Sequence, residues 1–114
     1  MSGITTHVLD TAAGRPARGV PVRLEVRMDG KGWVMLAERT TDADGRVKDL
    51  LADGSKLDAG VYRITFGTGA YFTALGMQTF FPEASVVFDV SDPGQHHHVP
   101  LLLSPFGYST YRGS

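Results

Sequence analysis

All four histidines of the chain fall in two places, His7 near the start and the triplet His96, His97 and His98 near the end. A neutral imidazole, with an ordinary pKa of about 6.5, can take and return a proton near neutral pH. In an extended strand successive side chains point to opposite faces, so His96 and His98 would share one face. The spacing predicts proton-transfer chemistry on that face, with His97 pointing away from it.

The spacing of the histidines also admits two other interpretations. The triplet could be an ordinary polar strand segment without a chemical role. Alternatively, His7, His96 and His98 could bind zinc through three imidazoles and leave a fourth position open, provided that their strands are neighbours. Spacing alone leaves both alternatives open.

Arg46 directly follows the sequence Asp42-Ala43-Asp44-Gly45, which is typical of a tight turn. An Arg in this position is most simply a solvated surface residue. The two aspartates resemble part of a calcium loop, but the further ligand spacing and the distal Glu of such a loop are missing. We therefore expect a turn here and no calcium site.

Composition excludes several classes of protein. The chain has no Cys, so disulfides and thiolate metal sites are ruled out. Its 11 Lys and Arg against 12 Asp and Glu are spread along the sequence, which gives no support for nucleic-acid binding. There is no phosphate-binding glycine loop and no Gly-x-Ser-x-Gly motif. No stretch is apolar enough to span a membrane and the start lacks a signal core, so we expect a cytoplasmic location and no membrane partner.

The histidines and Arg46 must be positioned by short strands, which the sequence predicts from segments of alternating apolar and polar residues separated by turns. Residues 20–28 alternate apolar with charged or proline side chains, and residues 29–32 then form a turn to a second extended segment, so a hairpin is predicted. The other predicted strands are 4–10, 61–66, 85–90, 95–103 and 107–112, and one short helix is predicted within 69–78. The pattern indicates a single all-β domain over 1–114, a two-sheet β-sandwich of seven to eight strands with one short helix.

Both ends of the chain closely resemble the terminal signatures of the 5-hydroxyisourate hydrolases, a transthyretin-like family. At the start, Thr6-His7-Val8-Leu9-Asp10 is followed by Gly14-Arg15-Pro16-Ala17 and Val20-Pro21-Val22. At the end, His96-His97-His98-Val99-Pro100 leads to the hallmark tetrapeptide Tyr111-Arg112-Gly113-Ser114. With residues 41–46 and 80–83, the resemblance covers nearly the whole chain. It departs at His97, where the family usually has an aromatic residue, so additional metal binding becomes conceivable there.

The resemblance implies a transthyretin-like (prealbumin-like) sandwich that assembles as a homotetramer, with active sites in the channel between dimers. It implies hydrolysis of 5-hydroxyisourate to 2-oxo-4-hydroxy-4-carboxy-5-ureidoimidazoline in urate degradation, with no metal and no organic cofactor. Carried over residue by residue, the site positions are His7, Arg46, His98, Tyr111 and Ser114.

The resemblance also implies a division of roles. His98 would be the leading base, His7 would assist it or orient the substrate, and Arg46 would bind substrate and stabilise the oxyanion. Tyr111 would contact the substrate ring, and Ser114 would hydrogen-bond a histidine or the attacking water. His96 would support the site without contacting substrate.

Two non-enzymatic functions compete with this interpretation. Transthyretin itself carries a small molecule in the equivalent channel, and prealbumin-like modules occur as structural parts of larger proteins. The segments around residues 14–22 and 41–46 fit all three possibilities, because they support the fold. The His7 segment, the His-x-His-Val-Pro run and the terminal tetrapeptide favour the hydrolase.

Overall fold

The structure, a computed structural model, describes residues 3–51 and 56–114. Residues 1, 2 and 52–55, which belong to the predicted domain 1–114, lie outside the described residues. The described residues form nine strands and one helix. In chain order these are β1 (Ile4–Asp10), β2 (Arg15–Pro16), β3 (Pro21–Met28), β4 (Gly32–Thr40), β5 (Arg46–Val47), β6 (Gly60–Phe66), α1 (Thr68–Ala74), β7 (Ala84–Val90), β8 (His97–Ser104) and β9 (Gly107–Thr110).

The strands form two sheets, as the sequence predicts. In the first sheet the order is β2-β1-β8-β9. The strand β5 also pairs with β1, at a different part of β1 from the part that pairs with β2. In the second sheet the order is β4-β3-β6-β7, with every pair antiparallel. In the first sheet, β1 and β8 run parallel although about ninety residues separate them in sequence. This pairing brings the two histidine-bearing segments side by side.

The core lies between the sheets and is built from alternate residues of each strand. In β1 the inward residues Ile4 and Val8 are fully buried, as are Leu101 and, almost completely, Leu103 in β8. Phe66 of the second sheet and Phe72 of the helix are also fully buried. Each such side chain stabilises the fold by about 1.5–3 kcal/mol relative to an exposed position. The opposite face of β1 and β8 is therefore left for function.

The helix is shorter than predicted. It ends at Ala74, whereas the sequence pattern predicted a helix within residues 69–78. Leu75 is the capping residue and is 48% exposed. Gly76 then adopts a positive φ of 71°, a conformation typical of the residue that ends a helix. In the described residues no helix combines the length and the apolar character that crossing a membrane requires.

Two very short strands, β2 and β5, were not predicted. Each has only two residues, too few to show an alternating pattern, and each pairs antiparallel with β1. The predicted turn before β5 is present, since Gly45 has a φ of 72° and its N–H donates to the carbonyl of Asp42. The turn thus places Arg46 within the first sheet, where it is partly buried and paired with His7.

Candidate active site

His7, Arg46 and His98 lie on the outer face of the first sheet. His7 is the register partner of Arg46 in β5 and of Pro100 in β8, and Thr5 is the partner of His98. Since His98 and Pro100 share a face, the side chains of Thr5, His7, Arg46 and His98 form one cluster on three neighbouring strands. All four residues are partly buried, so the cluster is accessible without being fully solvated.

The turn before β5 fixes the position of the Arg46 backbone. The Asp42 carboxylate accepts hydrogen bonds from the backbone N–H groups of Asp44 at 2.9 Å and Arg46 at 3.0 Å. The backbone N–H of Arg46 is the main reason that the pKa of Asp42 lies below its usual range. The carboxylate therefore serves as a turn-forming acceptor and fixes the backbone from which the guanidinium projects.

Both histidines of the cluster have a lowered pKa. Burial is the largest cause of the lowered pKa of His7, and the positive charge of Arg46 is the second. Burial and Arg46 also lower the pKa of His98, with further contributions from His7 and His96. A lowered pKa means that both rings are neutral near pH 7, which is the state in which imidazole can act as a base.

The histidine triplet divides between the two faces as predicted. The ring nitrogens His96 Nε2 and His98 Nδ1 each lie 2.8 Å from the Thr5 hydroxyl oxygen. His97 is only 5% exposed and points between the sheets, where its Nδ1 has no partner among the described residues. His97 therefore belongs to the core side, and the prediction that it faces away from His96 and His98 is confirmed.

The terminal tetrapeptide lies beside His98. The N–H of Gly113 donates to the carbonyl of His98 at 2.8 Å, and a methyl group at Gly113 would lie 2.5 Å from Cδ2 of the His98 ring. Ser114, the next residue, is exposed. Tyr111 is 56% exposed, and no hydrogen bond or ring contact joins it to the histidine cluster within the described residues. Gly113 thus brings the end of the chain against His98.

The last strand is shorter than predicted. β9 ends at Thr110, whereas the sequence pattern predicted a strand over residues 107–112, so Tyr111 and Arg112 do not continue it. Both border a cavity of about 230 Å³ between β7 and the β8–β9 pair, and the guanidinium of Arg112 donates to the side-chain carbonyl of Gln95.

The cluster lies apart from the two cavities that the described residues form beside Tyr111 and in front of β6. A cavity of about 640 Å³ is lined by residues of β3, β4 and the segment before β6, and none of His7, Arg46 and His98 borders it or the cavity beside Tyr111. Across the described residues, no group of three or more His, Asp or Glu side chains has the arrangement of a metal site. The arrangement offers two neutral bases and one permanent cation to a ligand placed on this face.

Two residues of this region escaped the sequence interpretation. Thr5 carries a hydroxyl on the same face as His7, and the period of two would have indicated it. Gly113 is the member of the terminal tetrapeptide that lacks a side chain, which is what close approach to a ring requires. Neither signal is specific without knowledge that β1, β8 and the chain end are neighbours.

Comparison with known proteins gives consistent results. Residues 4–113 match the HIUase/Transthyretin family. A 5-hydroxyisourate hydrolase of Caulobacter vibrioides is 51% identical over 118 aligned residues, which span all of both chains. Among solved structures, the 5-hydroxyisourate hydrolase of Klebsiella pneumoniae superposes with a TM-score of 0.84 at 40% identity, covering 97% of this chain and 98% of that one. Sea bream transthyretin in complex with thyroxine has a TM-score of 0.90 at 36% identity, covering 98% and 95%.

Proposed function

The chain belongs to the HIUase/Transthyretin family, and from this premise we propose that it is an enzyme that hydrolyses 5-hydroxyisourate. The observation that carries the proposal is the outer-face cluster of His7, Arg46 and His98, found in a chain that is 51% identical to a hydrolase over its full length. The product would be 2-oxo-4-hydroxy-4-carboxy-5-ureidoimidazoline. The reaction would thus be a step of urate degradation.

His98 is the proposed general base. Its lowered pKa keeps the ring neutral near pH 7, so it can remove a proton from water as the water oxygen bonds to the lactam carbonyl carbon. The carbon–nitrogen bond of the lactam then breaks, and the leaving nitrogen takes the proton from the imidazolium. The new carboxyl group ionises and releases one proton. His7, also neutral, would orient the water or the substrate.

Arg46 is the proposed electrophilic group. Its guanidinium keeps its charge throughout the reaction and presents a planar set of donors, which fits the carbonyls of a planar acid and the oxyanion formed by water attack. A base, a cation and a positioned water suffice for this reaction, so we propose that it uses no metal or organic cofactor. The roles of Tyr111 as a substrate contact and of Ser114 as a hydrogen-bond partner remain proposals.

A carrier function has less support than hydrolysis. The sea bream transthyretin was solved with thyroxine bound, so the fold is compatible with carrying a small molecule. Binding alone, however, does not require two histidines with lowered pKa values beside an arginine. The proton-transfer groups therefore favour the enzyme.

We propose that the site is completed in a homotetramer, at the channel between dimers. The supporting observation is that the cluster lies on the outer face of the first sheet, away from the two cavities described above. A second copy laid over this face would exclude water and bring further side chains, such as the exposed Tyr111, towards a substrate. A cytoplasmic location is likewise a proposal, which cell fractionation would test.

The direct test is the decay of freshly generated 5-hydroxyisourate, followed by ultraviolet absorbance with and without the protein. We expect a rate proportional to protein concentration and far above the spontaneous decay. Nuclear magnetic resonance of the mixture should show the ring-opened ureidoimidazoline as the first product. A decay rate that does not change on addition of protein would refute the proposal.

A further inference from the structure

The Thr5 hydroxyl lies between two imidazoles of the outer face. Its oxygen is 2.8 Å from Nδ1 of His98 and 2.8 Å from Nε2 of His96. Thr5 is the register partner of His98 in the parallel β1–β8 pair, so the backbone of two strands holds this arrangement. Nε2 of His98 makes no hydrogen bond within the described residues. The Thr5 hydroxyl is thus a hydrogen-bond partner of the His98 ring at Nδ1.

The number of protons limits the possible arrangements. A threonine hydroxyl has one proton to donate and two lone pairs that accept, and a neutral imidazole has one N–H and one bare nitrogen. If Thr5 donates to His96, it must accept the Nδ1 proton of His98, and Nε2 of His98 is then bare. If Thr5 donates to His98, the proton of His98 lies on Nε2, and the ring cannot act as a base there.

The base role of His98 selects between these arrangements. Nδ1 of His98 lies against the Thr5 hydroxyl, so Nε2 is the ring nitrogen left for water or substrate. A general base needs a bare nitrogen, and of the two arrangements only the first leaves Nε2 of His98 bare.

We propose that Thr5 is a positioning residue: its hydroxyl accepts the Nδ1 proton of His98, donates to Nε2 of His96, and leaves Nε2 of His98 bare as the base. His96 acts through Thr5, because it takes the hydroxyl proton that would otherwise be donated to His98. The catalytic consequence rests on the proposed hydrolase function. The nitrogen-15 measurement of the protonation pattern does not require activity.

The test compares four variants of the full-length protein. Thr5→Val removes the hydroxyl at nearly constant shape, Thr5→Ser restores it, and His96→Phe removes the acceptor of its proton. Thr11→Val is the matched control, because the Thr11 hydroxyl also joins the end of β1 to β8, through the carbonyl of Leu103, with no histidine involved. The readouts are the nitrogen-15 shifts of the His98 ring and the pH dependence of kcat/KM.

In the wild type and in Thr5→Ser we expect Nδ1 of His98 to be protonated and Nε2 to be bare. Thr5→Val and His96→Phe should shift the ratio of the two tautomers towards protonated Nε2 by about tenfold, the shift that one hydrogen bond can sustain. For Thr5→Val, kcat should fall by a similar factor with KM nearly unchanged. Thr11→Val should resemble the wild type in both readouts.

The pH profile separates positioning from simple loosening of the structure. The charged or titratable groups around His98 are His7 of β1, Arg46 of β5 and His96 beside β8, and Thr5→Val leaves all three in place. Loss of the hydroxyl removes a bond that stabilises the imidazolium, so the pKa of His98 should fall and the acidic limb of kcat/KM should move to lower pH. Loosening would hydrate the ring and move the limb to higher pH.

An unchanged His98 tautomer in both Thr5→Val and His96→Phe would overturn the proposal, as would a shift of the acidic limb to higher pH in Thr5→Val. Failure of the hydrolase function gives a different result. In that case the wild type would not accelerate isourate loss, while the nitrogen-15 shifts would still decide whether Thr5 sets the protonation of His98.

Discussion

Replacing Gly113 by alanine should lower kcat about a hundredfold while the sandwich stays folded. The added methyl group would lie 2.5 Å from Cδ2, 3.2 Å from Cγ and 3.3 Å from Cβ of His98. Carbon atoms in contact are normally about 3.5–4 Å apart, so the ring and the methyl group must separate by about 1 Å. A displacement of this size at a reacting group typically costs about a hundredfold in rate, or about 2.7 kcal/mol in the activation barrier.

The assay is the initial rate of isourate loss, corrected for spontaneous decay, together with a thermal melt of each variant. Gly107→Ala is the matched control, because a methyl group there would meet only the Ser104 hydroxyl oxygen at 3.8 Å, an ordinary contact. We expect wild-type turnover from Gly107→Ala and similar melting temperatures for both variants. Wild-type turnover from a folded Gly113→Ala would refute the view that the chain end positions His98.

Three further predictions test the roles of the histidines and the assembly. His98→Ala should lower kcat by about a hundredfold, as expected for loss of a general base. His97→Ala should keep the wild-type turnover but lower the free energy of unfolding by about 2 kcal/mol, because His97 is buried on the core side. Equal losses of turnover in the two variants would contradict the assignment of faces. Since burial and Arg46 hold the pKa of His7 and His98 below the ordinary 6.5, kcat/KM should be lost only as the pH falls through a midpoint below 6.5, and a midpoint at or above 6.5 would contradict this. Sedimentation should show a species near four times the 12.3 kDa chain, and a fully active monomer would exclude an interfacial site.

Local patterns in the sequence predicted much of the fold. Residues 20–28 alternate between apolar and polar side chains with a period of two, which is typical of a strand with one buried face. The strand β3 lies within this segment. The same period separates His97 from His96 and His98 without reference to any tertiary contact. These predictions succeed because the side-chain direction in a strand depends on the backbone alone.

Features that depend on distant contacts could not be predicted from local patterns. The parallel pairing of β1 with β8 joins segments about ninety residues apart, and the two-residue strand β5 has no alternation to detect. The helix ended early because Gly76 adopts a positive φ, although the apolar spacing continues to Leu75. The resemblance to a family identified Arg46 as a site residue, whereas local sequence favoured a solvated turn residue.

The terminal tetrapeptide combines a resemblance with a contact that the resemblance did not indicate. The resemblance assigned Tyr111 and Ser114 to the site, and the structure adds that Gly113 packs against His98. In the proposed homotetramer, a second copy on the outer face would bring Tyr111 towards the substrate. The sequence of a single chain contains no direct sign of that geometry.

The central claim, that isourate is hydrolysed on the outer face of the β1–β5–β8 sheet, is tested most directly by comparing two arginine variants. Arg46→Ala removes the cation beside His7 and His98, whereas Arg27→Ala removes a cation that lies over Trp33 on the other sheet. At equal protein concentration, isourate loss should fall towards the spontaneous rate with Arg46→Ala and stay at the wild-type rate with Arg27→Ala. Equal rates from the two variants would contradict the claim.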